Sequence, residues 1–182
     1  VKGPPAALRL FFALWPDDSQ RERLLRERLL SAIRDVRPAA GGRAVPTGNL
    51  HVTLAFLGNV APERVPDLRA VAAARVWPDT CLVFDRLAWW PKARLLCLEA
   101  QPLPPAFAEA VRAFHEDLRL KGFSIERRPF RAHITVARNV ASAPVDPHGQ
   151  QIPPISWPVQ EVVLVASTPT PDGSVYRVLA QD

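Results

Sequence analysis

The sequence predicts an α+β fold of two lobes, and three observations predict it. Runs with strand and helix character follow one another in the order β, α, β, α, ββ, α, β, ββ. The tripeptide His-x-Thr occurs twice, at 51–53 and 133–135, each time inside a β-branched apolar run. Each copy follows a long helix-like segment, as though one α+β unit had been written twice. The halves share little else in sequence, so the pseudo-symmetry is an inference from element order and motif placement. At 182 residues, with 48% of them apolar, the chain is read as one domain with a sizeable core.

The elements are assigned in order. Residues 8–16, LRLFFALWP, read as a first strand stopped by Pro16. Residues 19–36 place Leu25, Leu29, Ile33 and Val36 at helical spacing behind a capping Asp17 or Asp18. The Gly, Pro and Asn content of 37–49 predicts a loop, and the first motif strand follows. Residues 61–77 predict a helix with Pro near its start. Residues 80–90 and 93–100 predict strands around Pro91, a hairpin. Residues 104–122 predict a helix with Pro in its first turn and Gly at its end. The second motif strand covers 130–138. Residues 141–158 read as a long Pro-rich loop, and 159–167 and 174–181 as two closing strands about Pro171, Asp172 and Gly173.

The net charge is +5, and 20 of the 23 basic residues are Arg. Arg recognises phosphate with a fixed two-pronged fork, so the balance favours a polyanionic partner such as RNA. No block of like charge forms a tail. No apolar run approaches the ~20 residues of a membrane span, and residues 1–18 lack a leader pattern. A cytoplasmic monomer is expected. Cys81 and Cys97 lie in apolar runs without metal spacing and are expected to be buried, reduced thiols.

Residues two apart in a strand share a face. Leu50, Val52, Leu54 and Phe56 would then face the core, with His51 and Thr53 opposite. The same parity turns Ile134 and Val136 inward and sets His133 beside Thr135. A single strand histidine is usually structural. Two in matched settings, from only four His and six Thr in the chain, are poorly explained by chance. Histidine titrates near neutrality, so one neutral ring can take a proton from water while a protonated one delivers a proton to a leaving oxygen. The Thr hydroxyls can donate to anionic oxygens. A phosphodiester fits, because in-line displacement needs base and acid on opposite sides of phosphorus. Neither motif has a third metal ligand at spacing. A Gly-x-Ser-x-Gly elbow and an ATP-binding Gly-x-x-x-x-Gly-Lys loop are both lacking.

The paired motifs resemble the 2H phosphoesterase superfamily. The stretches RLFFAL (9–14), NLHVTLAFLG (49–58), RPFRAHITVAR (128–138), LVAS (164–167) and VYRVL (175–179) are similar to the RNA 2′,3′-cyclic phosphodiesterases, also called 2′-5′ RNA ligases. The resemblance implies two lobes, each with an antiparallel sheet and helices, and an active-site cleft between the sheets. It implies His51 and His133 as catalytic residues, with Thr53 and Thr135 lining the cleft. It implies no cofactor and no metal, and a substrate RNA ending in a 2′,3′-cyclic phosphate. It further implies a 2′-phosphate product and weak ATP-independent joining to a 5′-hydroxyl RNA. Arg138, which closes the second motif, is the implied phosphate ligand. Simple parity sets Arg138 opposite His133, so it reaches the cleft only through a bulge or strand end near Ala137. Arg131 shares the parity of His133 and is the alternative. One of Phe11 and Phe12 could reach the cleft and stack a base, as could Trp89 or Trp90, though core packing explains each of these. Small cyclic nucleotides as substrates, and a non-catalytic basic RNA-binding module, are the competing readings.

Overall fold

The first strand, β1 (Leu8–Leu14), alternates its two faces as a strand between two layers must. Leu10, Phe12 and Leu14 enter the main core, while Phe11 and Ala13 join a smaller apolar cluster with Val163 and Val165 on the opposite face. The computed structural model describes residues 7–16, 42–142, 149–171 and 173–179, together with Ser19, Glu22 and Arg26. The helix expected over 19–36 otherwise lies outside the described residues. Ser19 Oγ accepts from the Glu22 backbone N–H at 3.3 Å and donates to its carboxylate at 3.1 Å, a helix-start exchange.

The remaining elements are β2 (Arg43–Ala44), β3 (Val52–Val60), α1 (Val65–Ala73), β4 (Cys81–Trp90), β5 (Leu95–Glu99), α2 (Pro105–Leu120), β6 (His133–Arg138), β7 (Gln150–Pro158), β8 (Val162–Thr170) and β9 (Gly173–Val178). The α+β class is borne out. The strands run β7-β4-β5-β6-β3-β1-β8-β9, with β2 added beside β6, and every described pairing is antiparallel. The two motif strands, β6 and β3, meet in the middle of this order through one residue pair, Val52 with Ile134. The expected two sheets are thus two halves of one nine-stranded sheet, β7-β4-β5-β6 with the short β2 and β3-β1-β8-β9, joined at a narrow seam. With a single pair there, little ladder bonding ties the halves together, and the motif ends of both strands lie at the junction.

Helices α1 and α2 pack on the core face. Leu68 and Val71 of α1 and Phe107, Val111, Phe114 and Leu118 of α2 are buried at helical spacing. Phe114 meets Phe12 edge-on with ring centroids 5.0 Å apart. The opposite face of the sheet bears the His-x-Thr side chains. No helix among the described residues is long and apolar enough to cross a membrane.

Two expectations are corrected. Residues 150–158, read as part of a loop, form β7 against β4, pairing Leu82 with Trp157 and Phe84 with Ile155. Ile155 and Trp157 alternate into the core. Pro153, Pro154 and Pro158 are tolerated because β7 is an edge strand, where a missing N–H leaves no inner ladder unpaired. Cys81 is exposed, whereas Cys97 is buried as expected. In β4 the inward positions are Leu82 and Phe84, which turns Cys81 and Val83 outward. Burial pushes the Cys97 thiol up to about 12, so it is an inert core group.

Candidate active site

The seam gathers the motif residues, and two irregularities in the ladders decide which side chains join them. Pairing of β3 with β1 runs Leu10–Gly58, Phe11–Phe56, Phe12–Ala55, Ala13–Thr53, passing over Leu57 and Leu54. Each skipped residue reverses the alternation. Leu54 and Ala55 are therefore both buried, and Phe56 turns to the open face, where it is 48% exposed. The expectation that Phe56 faces the core is corrected. The Leu54 carbonyl accepts from His115 Nε2 at 2.7 Å, which gives His115 a structural bond at the core edge.

The second irregularity concerns Arg138. Pairing of β5 with β6 runs Glu99–His133, Leu98–Ile134, Cys97–Thr135, Leu96–Ala137, Leu95–Arg138, passing over Val136. Val136 and Ala137 are both buried, and Arg138 returns to the face of His133 and Thr135. The bulge that Arg138 needs thus falls one residue before Ala137. On its other side Arg138 pairs with Arg43 of β2. This close docking requires Gly42: at φ +76° it sits where a Cβ would collide with the Arg138 carbonyl. At Gly173, whose φ of +128° disfavours a side chain, the Arg43 guanidinium lies close against the backbone.

His51 and His133 are held by the same local device. His51 Nδ1 contacts the Asn49 carbonyl at 2.6 Å, and His133 Nδ1 contacts the Arg131 carbonyl at 2.8 Å. A carbonyl only accepts, so each Nδ1 carries a proton, and Nε2 is left as the nitrogen that gains or loses one. His51 Nε2 accepts from the Thr53 hydroxyl at 3.0 Å. Thr135 is half-buried, with its hydroxyl 3.9 Å from Cys97 Sγ.

His51 lines one hollow and His133 a second that borders it, while Thr135 lines neither. Arg9, Arg43, Arg138, Asn49, His51 and Tyr176 are among the residues that line a hollow of about 300 Å³. Among its described lining residues there are three arginines and no Asp or Glu, so its lining is positively charged. A larger hollow of about 820 Å³ is bordered by Trp89, Trp90, Phe130, Arg128, Arg131 and His133. Thr53 and Phe56 border both. Arg131 reaches Glu99 at 2.5 Å, so its guanidinium is engaged in an ion pair. Among the described residues no group of three or more His, Cys, Asp or Glu is arranged to hold a metal ion.

The surroundings of the rings differ. Trp15 stacks on His51 at 5.3 Å, Phe11 lies at 4.9 Å, and Tyr176 meets it edge-on at 5.3 Å. Burial in this cage pushes His51 down to about 4, and the charges of Arg138 and His133 add to the effect. His133 is also lowered, chiefly by burial, but the Glu99 carboxylate opposes that. In the ligand-free site both rings are thus held toward the neutral form.

Of the aromatic candidates, Phe12 is core and Phe11 backs His51, while Trp90 lies 4.4 Å from His133. Sequence reading assigned no role to Trp15, Arg43, Glu99 or Tyr176. Two of them left a signal: Glu99 is a lone charge in the apolar run LLCLE, and Tyr176 lies in the family-like stretch VYRVL.

Comparison with known proteins gives a consistent result. The family described as LigT like phosphoesterase matches over residues 15–94 and 101–176. An RNA 2′,3′-cyclic phosphodiesterase of Thermus thermophilus is 33% identical, covering 94% of this chain and 88% of its own. The Escherichia coli protein of that name is 30% identical, covering 88% and 87%. The crystal structure of E. coli LigT complexed with 3′-AMP superposes with a TM-score of 0.80 at 29% identity, covering 96% of each chain.

Proposed function

Since the chain belongs to the LigT like phosphoesterase family, we propose that it is an RNA 2′,3′-cyclic phosphodiesterase that opens a terminal cyclic phosphate to a 2′-phosphate. The observation that carries this reading is the pair of histidines, each with Nδ1 committed to a backbone carbonyl and Nε2 left for proton transfer, in two adjoining hollows of which the His51 one is lined by three arginines. In the proposed reaction the phosphate sits between them, with Arg138 and the Thr53 and Thr135 hydroxyls on its free oxygens. His133 takes the proton of the attacking water, and His51 gives one to the departing ribose 3′ oxygen. The surroundings support this order. The ring that ends charged has Glu99 beside it, and the ring that ends neutral sits in the aromatic cage, where charge is costly. We propose that side chains alone carry the chemistry, in a cytoplasmic monomer.

The test offers an RNA ending in 2′,3′-cyclic phosphate, in the presence of chelator, with and without a 5′-hydroxyl RNA. The expected product is the 2′-phosphate, with a minor 2′-5′ junction when the second RNA is present, because a hydroxyl that replaces water leaves phosphorus on the 2′ oxygen. Phosphorus NMR and linkage-specific nuclease identify both. A dominant 3′-phosphate means that His51 faces the other oxygen, and a rate abolished by chelator and restored by a divalent ion means metal catalysis.

The pH dependence is expected to be unusual for a histidine pair. The kcat/KM profile reports the free enzyme, and both free-enzyme histidines are lowered from 6.5. A bell bounded by two lowered values has its maximum below pH 6.5, whichever ring is the acid. A bound phosphate anion favours both imidazolium forms, so the kcat optimum lies at higher pH than that of kcat/KM. A kcat/KM maximum above pH 6.5 rules out rings held neutral in the free site.

A further inference from the structure

Strand β5 backs the second motif residue for residue, with Cys97 across from Thr135 and Glu99 across from His133. On the other side of the seam the equivalent backing by β1 is apolar, with Ala13 across from Thr53. Glu99 is 1% exposed, and a carboxylate in an otherwise apolar strand is costly to bury unless its charge is matched. Three donors surround it. Trp90 Nε1 reaches Oε1 at 2.7 Å, Arg131 Nη2 reaches Oε1 at 2.5 Å, and Arg86 Nη2 reaches Oε2 at 3.0 Å. An ionised carboxylate only accepts, and this one takes bonds from donors alone.

Two of those donors also hold His133. The indole of Trp90 lies against the imidazole with centroids 4.4 Å apart, and the Arg131 carbonyl accepts from Nδ1. The Arg131 guanidinium then lies over the Trp90 ring at 4.9 Å, closing the arrangement. We infer that Glu99 is a positioning residue for His133: it anchors the Trp90 and Arg131 groups that fix the ring, and its carboxylate offsets the charge the ring acquires when it takes a proton. The assignment extends the reaction proposed above, and only its kinetic part rests on that reading.

The charged groups facing His133 are Glu99 from β5, Arg128 and Arg131 from the segment before β6, and His51 from across the cleft. Of these only Glu99 favours the imidazolium. His51 has Arg138 nearby in place of a carboxylate. The two motifs are therefore alike in backbone geometry and unlike in their surroundings, and Glu99 is the carboxylate that only the His133 side has.

The deciding experiment follows both histidine rings by ¹⁵N NMR against pH, in the parent protein and in Glu99→Gln, which keeps the volume and an acceptor oxygen but removes the charge. In the parent, His133 is expected to titrate above His51, with Nδ1 protonated in both neutral rings. In Glu99→Gln, His133 is expected to move to lower pH while His51 stays within a few tenths of a unit. Turnover is expected to fall about 10- to 100-fold with KM changed less than threefold, because a group made useful only as charge develops affects kcat. A parent His133 titrating at or below His51 overturns the inference, and so does an unmoved His133 in the variant. The first of these readings needs no variant, so it stands even if Glu99→Gln fails to fold. Neither needs a substrate, so a failure of the proposed activity leaves the ring titration informative.

Discussion

His51→Ala and His133→Ala are each expected to lower turnover of a cyclic-phosphate RNA end by about 10²–10⁴-fold, the usual worth of a general acid or base. The two losses should not add. Once one ring is gone the concerted transfer is broken, and removing the second costs far less than it does alone. The structural consequences differ between the rings. His51 packs against Phe11, Trp15 and Tyr176, so its truncation opens space in an aromatic cluster. His51→Gln, which fills more of that space, separates packing from chemistry and should be as inactive as His51→Ala at a higher unfolding midpoint. His133 lies at the more open end of the cleft, and His133→Ala should unfold near the parent midpoint. Activity within tenfold of the parent in any of these folded variants defeats the paired mechanism.

Why the histidines were legible in the sequence, and other parts of the site were not, comes down to the range over which each feature is determined. His-x-Thr is a local pattern, and two residues of strand parity suffice to set both side chains on one face. Arg138 lies five residues from His133, far enough for one bulge to intervene. The skipped residue Val136 is not distinguishable from its neighbours by composition, because the bulge is set by how β6 pairs with β5 and β2. Phe56 fails for the same reason, with Leu54 skipped against β1. The edge strand β7 was hidden by its prolines, whose cost depends on a position in the sheet that only topology reveals. Tyr176 and Arg43 reach the site from distant segments, through β8–β9 pairing and the docking of β2, and Trp15 meets His51 from the end of β1. Element order, by contrast, follows from short-range periodicity, and α1, α2 and the β4–β5 hairpin appear where that periodicity sets them.

Arg138→Ala is expected to lower kcat/KM by about 10²–10³-fold, the range for removing a preorganised group that meets developing charge. The expectation rests on where the bulge delivers this side chain. The hollow on the His51 side carries Arg9, Arg43 and Arg138 with no acidic residue in its described lining. Arg9 lies over the Phe56 ring at 5.0 Å, toward the mouth shared by both hollows. Arg43 rests in the space left by Gly173. Arg138 is the one of the three on a motif strand, paired to neighbours on both sides and fixed relative to His133 and Thr135. Arg138→Lys should recover only part of the loss, since an ammonium cannot make the two-pronged contact of a guanidinium with phosphate. A second readout separates this role from simple attraction of RNA. The Arg138 charge helps hold His51 toward its neutral form, so its removal raises the pH at which His51 titrates and carries the kcat/KM maximum upward with it. Loss of RNA affinity alone would lower kcat/KM evenly across pH. A uniform loss, with His51 titrating where it does in the parent, would place Arg138 on the RNA at a distance from the reacting phosphate and leave Arg9 or Arg43 as its ligand.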